Sequence, residues 1–293
     1  AAGKSEVAAL LAKKIGGEVI SCDSMQIYKG MDILTSKPGK ALFKKVPHHL
    51  IGALPVSGEY NVSRYRKDAL AKINGIIKRG KIPVFAGGTG LYMSILVDGI
   101  FRIHKIDRKI RENLYKLAKE RGNKYLHEML QRKDPEAADK IHPNDTKRII
   151  RALEVFKATG KPISLLQKTR KGIAGDHDVK IFCLNLPREK LYDRINRRVE
   201  LMFKNGLVKE VSLLKRHKLS RTARFAIGLN EVNGFLAGEY DLNTAKEMMK
   251  RNTRLYAKRQ LTWFRRDKRI NWIELTGKER AKVIVDRLWK ECF

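Results

Sequence analysis

The chain begins Ala1-Ala2-Gly3-Lys4-Ser5, and a helical pattern follows directly. The string matches the second half of the phosphate-binding loop G-x-x-x-x-G-K-[ST]. In such a loop the glycine lets the backbone approach an anion, the lysine supplies a mobile positive charge, and the hydroxyl suits a Mg²⁺ ion that bridges phosphates. We therefore expect residues 1–5 to bind phosphate, and we expect the chain to be a fragment without the strand that precedes this loop. A match this short also arises by chance, so the remaining sequence has to decide.

Short apolar segments that end in polar or glycine-rich turns predict a parallel sheet. Residues 18–22 form the first and end at Asp23, and residues 82–86 form the second and open into Gly87-Gly88-Thr89-Gly90. Further apolar segments are 179–184 and 270–275. The carboxyl ends of parallel strands meet at one sheet edge, where open α/β sheets bind ligands. The predicted fold class is α/β, a P-loop NTPase-like core with a parallel sheet flanked by helices.

The middle of the chain predicts an all-helical insertion domain. From Asp107 to Thr169 the patterns are helical and dense in Lys and Arg, with breaks at glycine or proline. We place the insertion at 107–174, inside a core made of 1–106 and 175–293. Further helices are predicted at 188–216, 231–237, 244–266 and 278–290. Thr276 is the expected N-cap of the last one.

Composition narrows the class of protein. Lys and Arg number 63 against 31 Asp and Glu, a net charge of +32, which indicates a polyanionic partner such as nucleic acid unless it only reflects a basic proteome. No apolar run approaches the length of a membrane span, so no membrane association is expected. The three cysteines lie far apart, which favours a reducing cytoplasm over a disulfide framework or a zinc site.

Asp23, at the end of the first predicted strand, is the leading candidate catalytic residue. It could hold Mg²⁺, in the way that the aspartate at the end of a Walker-B strand does. It could instead act as a general base opposite the phosphate loop. It could also do no more than cap a turn. His48 and His49 point apart as neighbours in sequence and lack a third ligand nearby, so we interpret them as structural.

Two basic helical stretches favour nucleic acid as the partner. Lys147 and Arg151 share one helix face, with Arg148 beside them. Residues 258–266 interleave positive charge with Trp263 and Phe264, a mixture that suits phosphate contact together with stacking on an unpaired base. Each stretch could instead be a solvated helix face or, for the aromatics, part of the core.

Several unusual strings resemble the bacterial tRNA dimethylallyltransferase (isopentenyltransferase) family over nearly the whole chain. Besides residues 1–5 and Gly87-Gly88-Thr89-Gly90-Leu91-Tyr92, they are Asp23-Ser24-Met25-Gln26-Ile27-Tyr28-Lys29-Gly30-Met31-Asp32-Ile33, Val46-Pro47-His48-His49-Leu50, His142-Pro143-Asn144-Asp145, Arg151-Ala152-Leu153-Glu154 and Lys258-Arg259-Gln260-Leu261-Thr262-Trp263-Phe264-Arg265. The strings over residues 23–33 and 258–265 are far more specific than a P-loop.

The resemblance implies an enzyme that transfers a dimethylallyl group from dimethylallyl diphosphate to N6 of the adenosine 3′ of the anticodon. Ala1, Ala2, Gly3, Lys4 and Ser5 would then bind the diphosphate, with Ser5 on Mg²⁺. Asp23 would take the N6 proton, with Thr89 near the reacting centre. The partners implied are the anticodon stem-loop of tRNA and the prenyl diphosphate, for a monomeric cytoplasmic enzyme whose insertion grips the stem-loop.

The resemblance also implies which residues touch tRNA. They are Asp23, Ser24, Met25, Gln26, Thr89, Arg111, Lys147, Arg148, Ile149, Ile150, Arg151, Phe225, Ala226, Ile227, Gly228, Leu229, Asn230, Lys258, Arg259, Gln260, Leu261, Thr262, Trp263, Phe264 and Arg265.

One departure from the family pattern concerns Phe225, which stands where the family has Gln or Arg. We expect Arg224, one residue earlier, to be the candidate replacement for an arginine contact to the diphosphate. A P-loop small-molecule kinase remains an alternative, although it leaves the net charge unexplained. A non-catalytic RNA-binding protein is a second alternative, and it leaves the phosphate loop opposite Asp23 unexplained.

Overall fold

The computed structural model describes residues 2–101 and 107–292. These form two compact units. The core unit comprises the described residues of 1–96 and 178–293, and the helical unit comprises those of 97–177. The expected insertion, 107–174, lies within the helical unit, and Ala1 lies outside the described residues. No described helix combines the length and apolar character needed to cross a bilayer.

Two parallel sheets form the centre of the core unit. In the first, β1 (Glu18–Cys22) lies between β2 (His48–His49) and β3 (Pro83–Gly87), with Val19 opposite both His48 and Val84. In the second, β4 (Ile181–Asn185) pairs with β5 (Ile270–Glu274). The α/β class with parallel strands is confirmed, but the strands hydrogen-bond as two sheets rather than one. β1 is buried throughout because helices cover it, as expected for a parallel strand.

Four helices lie in the first half of the core unit among the described residues. They are α1 (Lys4–Lys14), α2 (Lys40–Phe43), α3 (Val62–Lys78) and α4 (Gly90–Val97). α1 begins after Gly3, whose φ of 81° is left-handed and is readily adopted only by glycine. Its apolar face packs with Leu275 and Leu288 in one hydrophobic cluster. This packing fixes the N-terminal turn of α1 at the sheet edge.

The second half of the core unit adds five helices, and two predictions about them need correction. They are α9 (Arg188–Lys204), α10 (Leu207–Leu214), α11 (Leu229–Leu236), α12 (Leu242–Phe264) and α13 (Ala281–Cys292). The helix predicted over 188–216 breaks at Gly206, whose φ is 98°. α13 begins at Ala281, not at Lys278, because Glu279 folds back and accepts hydrogen bonds from the amides of Thr276 and Gly277. Thr276 is therefore not an N-cap.

The described residues of the helical unit are mostly helical. It contains α5 (Arg108–Lys133), α6 (Pro135–Lys140), α7 (Thr146–Thr159) and α8 (Ile163–Lys168), and the long α5 is kinked at Gly122. The core of this unit forms around Leu126, Leu130 and Leu153. Buried Asp134 joins two helix starts, because one oxygen accepts from the Ala137 amide and the other from the Ser164 amide.

Candidate active site

A cavity of about 520 Å³ in the core unit, here called the main cavity, brings many predicted site residues together. Its polar lining includes Lys4, Asp23, Arg198 and Arg259. Its apolar lining includes Leu34, Phe182, Leu184, Leu191, Ile195, Met202 and Met249. An apolar wall that ends in charged groups suits a ligand with an apolar tail and an ionic head.

Lys4 supplies positive charge at the first turn of α1. Burial and the neighbouring Arg198 guanidinium lower the pKa of Lys4, and the Asp23 carboxylate opposes them. The lysine is thus desolvated and close enough to both groups to feel their charges. An anionic ligand here would meet a poorly solvated cation, for which electrostatic attraction is strong.

Arg198, on α9, is a site residue that the sequence-based reasoning missed. Burial lowers its pKa, Asp23 opposes this effect, and its buried Nε has no hydrogen-bond partner. Such a group is costly to bury unless a ligand completes its bonding. A signal was present in the sequence, because Arg198 sits between Ile195 and Val199 on the apolar face of an amphipathic helix.

Asp23 caps the turn after β1 and also lines the main cavity. Its Oδ1 accepts hydrogen bonds from the amides of Met25 (2.8 Å) and Gln26 (3.3 Å), which is the turn-capping geometry. The residue also lines the main cavity together with Lys4. One carboxylate oxygen therefore fixes the turn after β1, and this leaves Oδ2 for the cavity.

Thr89 ties the ends of β1 and β3 together. Its amide donates to the Cys22 carbonyl at 3.1 Å, and its hydroxyl oxygen accepts from the Ser24 amide at 3.1 Å. The hydroxyl of Tyr256, another residue missed by sequence reasoning, hydrogen-bonds Thr89 and lines the main cavity, and its pKa is raised by burial. Thr89 itself does not line the cavity wall but orients two groups that do.

The glycine turn after β3 is where α12 meets the sheet edge. Gln260 Nε2 donates to the Gly88 carbonyl at 2.6 Å. A Cβ on Gly88 would collide with the Gln260 side chain, and one on Gly90 would collide with Trp263. At Gly90 the rigid indole ring leaves no room for a side chain, whereas a side chain at Gly88 would displace the Gln260 amide from its hydrogen bond. The two sequence strings thus form one surface.

The turn over residues 31–36 forms one side of the main cavity and is held from α10. Glu210 accepts hydrogen bonds from the amides of Asp32 (2.9 Å), Ile33 (2.8 Å) and Leu34 (2.8 Å). Gln26 holds the same turn from the other side, where its Nε2 donates to the carbonyls of Thr35 and Ser36 at 3.3 Å. Gln26 is therefore a support for the wall and does not line the cavity.

Some of the remaining predicted residues of the core unit line the main cavity, and the others lie outside its lining. Those that line the main cavity are Ala2, Ser24, Met25, Phe225, Ala226, Ile227, Arg259, Gln260, Leu261 and Phe264. Those outside its lining are Gly3, Ser5, Gly228, Leu229, Asn230, Lys258, Thr262, Trp263 and Arg265. Arg224 is not brought to the main cavity either, because it lines a different one with Asn230. The expected diphosphate role of Arg224 therefore does not fit the geometry, and Arg198 occupies such a position.

The predicted residues of the helical unit behave differently from one another. Arg111 Nε and one terminal guanidinium nitrogen bind both oxygens of Glu154, and Arg151 binds the same carboxylate at 2.7 Å. Lys147 is exposed, and Arg148 pairs with Asp145 at 3.3 Å. Ile149 and Ile150 are core residues with 0% and 1% exposure, so the expectation that they touch tRNA is corrected: they hold α7 in place.

Metal binding can be tested against the donor set. Among residues 2–101 and 107–292, no group of three or more His, Cys, Asp or Glu side chains is placed to hold a metal ion. Ser5 offers a single hydroxyl at the start of α1. Mg²⁺ commonly keeps waters and takes few protein ligands besides substrate phosphates, so this sparse donor set fits a Mg²⁺ that arrives with a diphosphate.

His48 and His49 form β2 and do not line the main cavity. His49 Nε2 lies 2.7 Å from Glu18, whose carboxylate also binds Arg79 (2.8 Å) and Lys81 (3.0 Å). These hydrogen bonds lower the pKa of Glu18 to about 2 against the opposing effect of its burial. The network lies at the start of β1, the opposite end of the strand from Asp23.

The fold and the phosphate-loop turn at Lys4 define an α/β protein of the P-loop type. Residues 26–267 match the model of the family described as IPP transferase. A tRNA dimethylallyltransferase of Acetivibrio thermocellus is 45% identical over 98% of this chain and 93% of its own length. One from Thermotoga neapolitana is 46% identical over 98% and 94%.

Solved structures of similar proteins indicate the same family. The tRNA isopentenylpyrophosphate transferase of Bacillus halodurans superimposes with a TM-score of 0.71 at 37% identity, covering 99% of this chain and 93% of that one. A eukaryotic dimethylallyltransferase described as acting on tRNA gives 0.74 at 27% identity, covering 99% and 77%. This chain belongs to the IPP transferase family.

Proposed function

We propose that this chain transfers a dimethylallyl group from dimethylallyl diphosphate to N6 of the adenosine 3′ of the anticodon in tRNA, and releases diphosphate. The observation that carries the proposal is the main cavity, where an apolar wall leads to the partly buried cations Lys4 and Arg198 with Asp23 beside them. Relatives named tRNA dimethylallyltransferase over nearly the full length support it.

The prenyl donor has an apolar tail and a charged head, as the lining of this cavity has an apolar part and a charged part. Its branched hydrocarbon tail would lie against residues such as Leu34, Ile195 and Met202, and its diphosphate would lie against Lys4 and Arg198. Burial of the tail removes apolar surface from water, which contributes about 25 cal/mol of binding free energy per Å² buried. The diphosphate completes the bonding of the unpartnered Arg198 Nε. In this proposal the loop binds the diphosphate of a prenyl donor and not ATP, so the site does not need to recognise a nucleoside.

The chemical step needs a base and a stabilised leaving group. The bond between the prenyl C1 and the diphosphate oxygen breaks as the bond from N6 to C1 forms, and the diphosphate leaves with the electron pair. An exocyclic amine is a weak nucleophile, and its proton becomes acidic as the new bond forms, so the Asp23 carboxylate takes it late. Lys4 and Arg198 stabilise the charge that grows on the leaving group. Ser5 would help to hold a Mg²⁺ ion, which would supply further positive charge at the diphosphate.

The adenosine has to leave its stack to reach Asp23. An unpaired loop base leaves more cheaply than a base in a duplex, which favours an anticodon loop as the substrate. Thr89, Tyr256 and Gln260 hold the backbone and side chains around the entry point. We assign Phe225 and Arg259, both on the cavity, to contact with the extruded nucleotide or its neighbours.

The helical unit is assigned to the anticodon stem-loop. Arg111 and Arg151, each about 45% exposed and fixed in orientation by Glu154, present ordered guanidinium groups, and Lys147 lies one turn from Arg151. Guanidinium groups that are held in place lose little entropy on binding phosphate. The net charge of +32 supplies the long-range attraction. The enzyme is proposed to act as a cytoplasmic monomer.

The experiment combines purified protein, Mg²⁺, dimethylallyl diphosphate and an unmodified anticodon stem-loop, with mass spectrometry of the RNA. We expect one added dimethylallyl group on the adenosine 3′ of the anticodon, and none when that adenosine is replaced by guanosine. ATP turnover without RNA prenylation would instead support the kinase alternative. Tight stem-loop binding with neither reaction would leave an RNA-binding protein.

A further inference from the structure

A second cavity of about 320 Å³ lies in the core unit between the end of α10 and the start of α11. It is here called the second cavity. Its polar lining is Lys215, His217, Lys218, Arg224, Asn230 and Asn233, and its apolar lining is Val211, Leu214, Leu219 and Leu229. No acidic side chain lines it. All its charged groups therefore have one sign.

The cations of the second cavity are not neutralised by the protein. Within the described residues, Lys215, Lys218 and Arg224 form no ion pair, whereas Lys246 and Lys250 of the same unit both bind Glu200. All three are exposed, so water and salt screen part of their mutual repulsion, and a bound anion would remove more of it. Their collection around a concave surface is explained if an anion neutralises them.

Residues that are neighbours in sequence line the second cavity and the main cavity. Arg224 lines the second cavity and the next residue, Phe225, lines the main cavity. The Phe225 side chain is 72% exposed, an unusual position for a large aromatic ring in a folded protein. An exposed ring of this kind can stack on an unpaired base, and the cations next to it can hold the phosphate of the same nucleotide strand.

We propose that the second cavity is a phosphate subsite for the RNA strand that delivers the reacting base to the main cavity. The inference rests on the proposed function and adds to it a contact on the RNA backbone near, but not at, the extruded nucleotide. Lys215 and Lys218 neutralise one phosphate, the amide of Asn230 donates to its oxygens, and Arg224 directs the strand past Phe225. Phosphate contacts of this type position the strand without reading its sequence.

The first test is the salt dependence of binding of an unmodified anticodon stem-loop. The double variant Lys215→Ala, Lys218→Ala is expected to weaken binding about tenfold at low salt. The slope of log K against log salt should fall by about 0.7 to 0.9 for one phosphate lost. Lys78→Ala, at an exposed position on α3 that lines neither cavity, is the matched control and should leave the slope unchanged. An unchanged slope in the double variant would overturn the proposal.

The second test identifies the phosphate. Stem-loops in which single phosphates near the reacting adenosine are replaced by neutral methylphosphonates are bound to the parent protein and to the double variant. One position should weaken parent binding about tenfold yet have little effect in the double variant, since the contact is already lost. If every position has the same effect on both proteins, no phosphate occupies the second cavity. Prenyl transfer by the parent protein, measured in parallel, keeps a failure of this subsite distinct from a failure of the proposed function.

Discussion

Arg198→Gln removes one of the two partly buried cations at the charged end of the main cavity. The side chain stays long and polar, so the packing of α9 around Ile195 and Val199 is retained. A hydrogen bond to a charged group contributes about 1.5–3 kcal/mol. At about 1.4 kcal/mol for each factor of ten, kcat/KM for the prenyl donor should fall about 10- to 150-fold. Arg197→Gln, at the exposed neighbouring position, is the control.

Two further readouts separate a ligand contact from a structural role. In the free protein Arg198 Nε is buried without a partner and its charge lowers the pKa of Lys4. Replacement by glutamine removes this repulsion, so the melting temperature should stay constant or rise while catalysis falls. The pKa of Lys4 should rise, and loss of donor binding at alkaline pH should therefore begin at a higher pH than in the parent protein.

The assay is initial-rate kinetics with varied dimethylallyl diphosphate at saturating stem-loop, together with thermal unfolding. A melting temperature that falls by several degrees with unchanged donor kinetics would refute the reasoning, because Arg198 would then stabilise the fold and not the ligand. Equal losses in Arg198→Gln and Arg197→Gln would refute it as well.

Substitution of three carboxylates gives further predictions. Glu210→Ala frees three backbone amides of the cavity wall and should raise the donor KM about tenfold, whereas Glu210→Gln, which keeps an acceptor oxygen, should restore much of the affinity in the same kinetic assay. Glu18 has a pKa of about 2 in the fold, so its stabilisation is present above about pH 4.5 and is lost as the pH falls toward 2. Glu18→Gln should cost about 2 kcal/mol at pH 7 and little at pH 2, measured by urea unfolding, and an equal cost at both would contradict the ion-pair explanation. Glu154→Gln releases Arg111 and Arg151 from their fixed orientation and should weaken stem-loop binding about threefold to tenfold without a change in donor KM, and tighter binding would contradict the positioning role.

The sheet edge could be predicted because its signals are local. Apolar segments that end at Asp23 and at the glycine turn after residue 87 have the period and length of buried strands, and parallel strands bring such ends together. The structure joins them through Thr89. Nothing local showed that Gln260 would dock on Gly88, because that contact joins elements 172 residues apart. The family resemblance did not predict this contact either, since it implied only that both strings belong to the site.

The errors have physical causes. Ile149 and Ile150 were included with their basic neighbours in one string, although the helical period puts them on the buried face of α7. Arg198 resembles the other arginines of α9 in composition, and only its place between Ile195 and Val199 on the apolar face distinguishes it. Arg224 was chosen for its position in the sequence, whereas the turn over residues 223–225 directs it to the second cavity. The break at Gly206 depends on a left-handed φ that periodicity does not reveal.

The most direct test of the central claim is the single-turnover rate of prenyl transfer by Asp23→Asn. Asparagine keeps a side-chain oxygen for the Met25 and Gln26 amides, so the turn after β1 is preserved while the proton acceptor is lost. Asp32→Asn, at an exposed carboxylate that pairs with Lys37, is the control. The rate should fall about 10²- to 10⁴-fold in Asp23→Asn with stem-loop affinity little changed, and stay near the parent value in the control. A near-normal rate in Asp23→Asn would show that this carboxylate does not take the proton.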